Sequence, residues 1–228
     1  MREIVLDTET TGLNPEKGDR IVEIGCVELE NHLPTGKTYH QYINPMRSIS
    51  QEVVAVHGLT EEFLSDKPIF SEIIDEFLAF IGENTPLVIH NAAFDMNFLN
   101  TELKACGKNE LSNPVIDTLP IARKKFPGSK VNLDELCKRF HVDASKRTVH
   151  GALLDSELLA DVYLELITDR ELKFTSFKKN KQNQEVIQNL KNISRETFPL
   201  REWKIDTVEE KSHTEFLSKI KNPIWEEV

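Results

Sequence analysis

Two acids separated by one residue, Asp7 and Glu9, follow the apolar triplet Ile4-Val5-Leu6 and precede the turn-forming Thr10-Thr11-Gly12. Successive side chains of a strand alternate between its faces, so Val5, Asp7 and Glu9 share one face and two carboxylates emerge side by side. A third acid, Asp95, follows His90-Asn91-Ala92-Ala93-Phe94 behind a second apolar strand. The fourth, Asp155, stands three, four and seven residues before Leu158, Leu159 and Val162, and so shares a helical stripe that should face the interior. Taken singly, Asp7 and Glu9 fit a solvated strand end, and Asp95 fits the preference of a helix dipole for acids in the first turn. Asp155 has no such bland account. An unpaired carboxylate among leucines costs several kcal/mol or is forced to protonate, whereas a cation supplies the missing charge.

Gathered at the carboxyl ends of neighbouring strands, these acids would hold two Mg²⁺ ions about 3.5 to 4 Å apart, with Mn²⁺ able to substitute, the arrangement for in-line attack on a phosphodiester. Hard cations prefer oxygen ligands, and all four candidates offer oxygen. His150, with an unperturbed pKa near 6.5, is suited to accept the proton of the attacking water at neutral pH. On one regular helix the five-residue step to Asp155 turns roughly 140° past a full circle. His150 is therefore expected in the loop leading into that helix, with Gly151 allowing the bend.

The elements that must position these residues are legible in the spacing of apolar side chains. Ile4–Leu6, Ile21–Leu29 and Thr38–Ile43 are predicted strands, and Phe70, Ile73, Ile74, Phe77 and Ile81 predict a helix ended by Gly82. Pro86–Ile89 and Pro114–Ile116 predict further strands. Helices are expected through Phe94, Phe98 and Leu103, near Ile121, over Leu133–Phe140 and over Leu153–Ile167. Strands alternating with helices imply an α/β layered domain whose sheet is at least partly parallel. From about Lys173 the chain becomes polar and loses its periodic apolar face, which marks a flexible linker. Near the end, Thr207-Val208-Glu209-Glu210 fits a capping box, and Phe216, Leu217 and Ile220 form a short apolar stripe before Trp225. The expected organisation is a catalytic domain over 1–172, a linker over 173–206 and a docking segment over 207–228.

The 228 residues admit one full domain plus an appendage, and 39% hydrophobic against 29% charged residues is globular composition. No apolar run reaches membrane-spanning length and no apolar leader follows Met1, so a cytoplasmic chain with no membrane association is expected. Cys26, Cys106 and Cys137 are too far apart for a CxxC pair, which disfavours a disulfide framework or a structural zinc site. The net charge of −10 opposes a bare polyanion binder. The excess is local, however, with 17 basic against 29 acidic residues over 1–172. Bound cations would reverse the field of such a cluster.

Leu6-Asp7-Thr8-Glu9-Thr10-Thr11-Gly12-Leu13, His90-Asn91-Ala92-Ala93-Phe94-Asp95 and His150-Gly151-Ala152-Leu153-Leu154-Asp155 resemble the three exonuclease motifs of the DEDD superfamily, in its histidine branch. More narrowly, the run Ser145–Asp155 and Val56-His57-Gly58-Leu59 are similar to the proofreading (epsilon) subunits of bacterial DNA polymerase III, and the likeness extends from residue 2 to about 168. The resemblance implies a ribonuclease-H-like fold, a five-stranded mixed sheet flanked by helices. It implies 3′-to-5′ hydrolysis of DNA that releases nucleoside monophosphates from a single-stranded or mispaired 3′ end. By position, Asp7, Glu9, Asp95 and Asp155 would hold the metals and His150 would be the general base. Thr8 and Thr10 would lie along the terminal nucleotide, Leu13 would press on its base, and His57 and Asn91 would line the cleft. The tail would reach the polymerase α subunit, which could bring most of the basic DNA-binding surface. Contact with the sliding clamp is not supported, since Leu172-Lys173-Phe174-Thr175-Ser176-Phe177 lacks the glutamine of a clamp motif. The rival readings are a free-standing exonuclease that trims RNA or DNA and a noncatalytic subunit that stabilises a polymerase; no ligand is missing, as the second would require.

Overall fold

A computed structural model describes residues 1–145, 147, 149–168 and 206–219. Five strands, β1 (Arg2–Thr10), β2 (Ile21–Glu30), β3 (Leu33–Tyr42), β4 (Leu87–Ile89) and β5 (Val115–Asp117), form one sheet in the order β3-β2-β1-β4-β5. β1 pairs antiparallel with β2, and β2 with β3, while β1 with β4 and β4 with β5 are parallel. The sheet is mixed, as expected. The carboxyl ends of β1 and β4 lie side by side, so the chain leaving them converges on one edge of the molecule.

β1 is longer than the sequence predicts. The strand does not end at Asp7 but continues through Thr10, because residues 7 to 10 find antiparallel partners in Gly25, Ile24, Glu23 and Ile21. Backbone pairing thus fixes both carboxylates on a rigid element rather than on a turn. β3 also starts earlier, at Leu33 rather than Thr38; its first residues are exposed and carry no apolar pattern.

Helix α3 (Phe70–Ile81) buries Phe70, Ile73, Ile74, Phe77 and Ile81, the stripe that predicts it, and ends where Gly82 takes φ 70°. With α4 (Ala92–Ala105) it covers one face of the sheet through Ile4, Leu6, Ile24 and Cys26. Helix α7 (Ala152–Ile167) covers the other, packing Leu159, Ala160 and Tyr163 on Val5, Val27 and Val88. Helices α5 (Thr118–Lys125) and α6 (Leu133–Phe140) pack against the outer side of α7 through Ala122, Leu136, Cys137, Val162 and Leu166. Complete burial of a side chain such as Phe77 contributes about 1.5 to 3 kcal/mol.

Two helices, α1 (Gln51–His57) and α2 (Glu61–Leu64), fall in a region the sequence leaves without prediction. Each is short and buries one residue, too little for an apolar period to register; α1 is set instead by the Ser50 cap and by Gly58, whose φ of 76° ends it. The chain divides into units over Met1–Thr175 and Ser176–Val228. In the second, α8 (Thr207–Leu217) is capped by Asp206, whose side chain accepts the Val208 amide, one residue earlier than the expected cap at Thr207. It buries none of its residues, and Phe216 is exposed. The predicted linker up to residue 205, the Leu172–Phe177 stretch, Ile220 and Trp225 lie outside the described residues.

Candidate active site

Asp7 and Glu9 project from β1 toward α7, the face on which Val5 packs against Leu159 and Tyr163. Thr8 points to the opposite face, and its hydroxyl donates to Asp95 Oδ1 at 2.7 Å. That bond ties motif one to motif two. Asp95 sits in the first turn of α4 and is 3% exposed. Asp155 occupies the same place in α7, at the same exposure, so two helix N-termini each direct a first-turn carboxylate at the end of β1.

α7 approaches the sheet closely because β2 carries glycine at position 25. A methyl group there would fall far inside contact distance of the Ala152 carbonyl and the Leu153 amide. The seat is secured by Ser156, whose hydroxyl donates to the Gly25 carbonyl at 2.9 Å. His150 lies in the loop before α7, as its spacing predicts. Its backbone amide donates to Val56 of α1 at 3.1 Å, and its Nδ1 stands 3.2 Å from Asp155 Oδ2. One ligand atom from each of Glu9, His150 and Asp155 lies within 4.8 Å of the others.

Charge has been concentrated here against the preference of each acid. Loss of hydration, followed by repulsion from Asp95, Glu9, Asp155 and Glu23, holds the Asp7 carboxyl well above the ordinary carboxylate range. Burial, with Asp155 and Glu23 nearby, pushes Glu9 up to about 8. Burial also raises Asp95, against the opposing hydrogen bonds from Thr8 and the backbone. A cluster of oxygens that repel one another at a helix-lined edge matches the donor set of hard divalent cations.

Two members of this cluster escape the sequence reading. Glu23, in register with Glu9 on β2, is buried and held by His40 Nε2 at 2.7 Å. An acid inside the β-branched run Ile21–Leu29 was its only signal. Arg147 grips Asp155 with both arms of its fork, Nε to Oδ1 at 2.5 Å and Nη2 to Oδ2 at 2.7 Å. Asp155 therefore does have a protein partner in its apolar stripe.

Beside the acids, Thr8, Glu9, Thr10, Leu13, Val53, Val56, His57 and Phe94 line a cavity of about 170 Å³. Leu13 is an apolar side chain 86% exposed. His57 is buried; its Nδ1 accepts the Leu59 amide at 3.0 Å, and burial lowers its pKa. Asn91 stands apart from this cavity, exposed at the start of α4 with φ 70°, its backbone amide donating to Asp117 Oδ1.

A family model described as Exonuclease (RNase_T) matches residues 4–163. The DNA polymerase III subunit epsilon of Rickettsia felis is 48% identical over 227 residues, 96% of this chain and 97% of that protein. That of Escherichia coli K12 is 43% identical over 208 residues, 88% of this chain and 85% of its own. This chain belongs to the exonuclease family, among the epsilon subunits of DNA polymerase III.

Solved structures agree on architecture. Exonuclease X in complex with 5′ overhanging duplex DNA has a TM-score of 0.58 at 27% identity, covering 72% of this chain and 90% of its own. The nuclease domain of 3′hExo, a DEDDh family member bound to rAMP, has a TM-score of 0.65 at 20% identity over 74% and 92%, which supports the fold alone. The chain is thus a proofreading-type 3′-to-5′ exonuclease of the ribonuclease-H-like fold, from a family that depends on divalent metal. Among the described residues no helix is long and apolar enough to cross a membrane.

Proposed function

We propose that Asp7, Glu9, Asp95 and Asp155 hold two divalent cations, Mg²⁺ or Mn²⁺, and that His150 is the general base of hydrolysis at the 3′-terminal phosphodiester. The observation that carries this reading is the convergence of Glu9, His150 and Asp155 within 4.8 Å. It is joined by the upward shifts of Asp7, Glu9 and Asp95, which a bound positive charge would relieve. When bound, the cations supply Lewis-acid stabilisation of the attacking and leaving oxygens. His150, exposed and tethered through its backbone to α1, accepts the proton of the attacking water. Thr8 keeps Asp95 in place from the strand side while Glu23, behind Glu9, adds to the negative field. Leu13, Thr10 and His57 border the space open to a terminal nucleoside, and Leu13 offers an apolar surface to its base. A frayed end enters at little cost, whereas a paired end must first melt at a few kcal/mol, so mispairs are selected by fraying.

In the same reading, residues 173–206 link the catalytic domain to a docking segment over 207–228 that binds the polymerase α subunit, and the protein works in the cytoplasm. Helix α8, which buries none of its residues and leaves Phe216 exposed, supports the docking role. Digestion of 3′-mispaired and paired primers with Mg²⁺, Mn²⁺ or chelator, followed by product sizing, tests reaction, polarity and cofactor together. The expected products are mononucleotides released first from the mispaired primer and only with a divalent ion. Products of mixed length, or undiminished activity in chelator, would overturn the assignment.

A further inference from the structure

Arg147 lies in the loop before α7 and reaches both Asp155 and His150, yet has no assigned role. Its side chain is 8% exposed and that of Asp155 is 4% exposed, so the pair is shielded from water. Nε and Nη2 take both Asp155 oxygens, Nη1 donates to Asp134 Oδ1 on α6, and Nη2 also donates to His150 Nδ1 at 2.7 Å. A bidentate guanidinium and a divalent ion seek the same two oxygens. Two cations on one shielded carboxylate would repel strongly, because screening there is weak.

From this geometry we infer that Arg147 is an internal counterion that competes with the divalent cation for Asp155, and that cation loading displaces it. This rests on the metal reading above. The structure provides a route for the displacement: Asp134, 51% exposed, keeps hold of Nη1 when the other arms let go. Displacement also changes His150. An arginine N–H can only donate, so Nδ1 must present its lone pair to Arg147 while the two are in contact. The 3.2 Å approach of the same nitrogen to Asp155 Oδ2 requires a proton there instead. The two contacts are mutually exclusive. Withdrawal of Arg147 releases His150 Nδ1 from its donor. Arg147 is accordingly a positioning residue, holding Asp155 and His150 until a cation binds.

Mn²⁺ titration of the full chain, followed by the electron paramagnetic resonance signal of the free ion, tests this. If the pair is closed about nine-tenths of the time, removing it tightens Mn²⁺ binding about tenfold. Arg147→Met should show that gain, and Arg147→Lys, which keeps charge but loses the fork, a smaller one. Arg147→Met should also melt lower than wild type in chelator and recover with Mn²⁺. Unchanged or weaker Mn²⁺ binding in the variants overturns the inference, making Arg147 a strut. Arg147→Lys, which keeps the charge and the stem, decides the matter if Arg147→Met does not fold. Failure of the wild-type chain to bind Mn²⁺ would instead defeat the metal reading itself.

Discussion

Replacing Gly25 with alanine separates the placement of α7 from the stability of the fold. The added methyl would meet the backbone of Ala152 and Leu153, which no side-chain rotation can relieve. Restoring ordinary carbon contact of about 3.5 Å pushes the start of α7 off β2 by about 1 Å. The Ser156 bond to the Gly25 carbonyl lengthens with it, and Asp155 and His150 move away from Asp7 and Glu9. Overpacking of this kind costs about 1 to 3 kcal/mol of stability. A 1 Å displacement of reacting groups costs about 10²-fold in rate. The companion variant Val27→Ala, on the same face of β2, loses about 2 kcal/mol from the buried cluster under α7 without pushing the helix. Urea midpoints and initial rates of nucleotide release from a mispaired primer should therefore fall together for Gly25→Ala, while Val27→Ala loses stability alone. A folded Gly25→Ala protein with the wild-type rate would refute the idea that this glycine sets the geometry of motif three.

His150→Ala should slow the chemical step by about 10² to 10⁴, read by rapid quench; a wild-type rate would assign the base elsewhere. Because Asp7, Glu9 and Asp95 are shifted upward, the folded protein retains protons that the unfolded chain releases above about pH 4, so stability in chelator should fall as pH rises toward 8. Saturating Mn²⁺ should flatten that slope in a thermal melt, and a melting point in chelator that climbs through the window would contradict the shifts. Arg20 holds the buried Glu102 through two hydrogen bonds of 2.6 Å, so Arg20→Met strands a buried carboxylate and should cost about 3 kcal/mol in urea unfolding, with less than 1 kcal/mol refuting the pairing.

What the sequence makes legible follows from which forces are local. The stripe Ile73-Ile74-Phe77-Ile81 and the alternation Val5-Asp7-Glu9 depend only on chain geometry, and both appear in the structure as read. The local setting of the acids was legible for the same reason, since Asp95 and Asp155 sit in helix first turns and Asp7 and Glu9 on one face of a strand that their neighbours define. Arg147 was not, because nothing in Ser145–Asp155 tells which carboxylate a basic side chain will reach, and its partner Asp134 belongs to another helix. α1 was missed although it anchors the His150 backbone, because it owes its existence to caps rather than to a buried stripe. The continuation of β1 to Thr10 depends on pairing with β2, a contact between residues more than ten positions apart.

A crystal of the full chain soaked in Mn²⁺ and measured for anomalous scattering addresses the two-cation site without reference to activity. The account predicts two peaks at the end of β1, within coordination distance of Asp7, Glu9, Asp95 and Asp155. Peaks elsewhere, or none beside these four carboxylates, would contradict it.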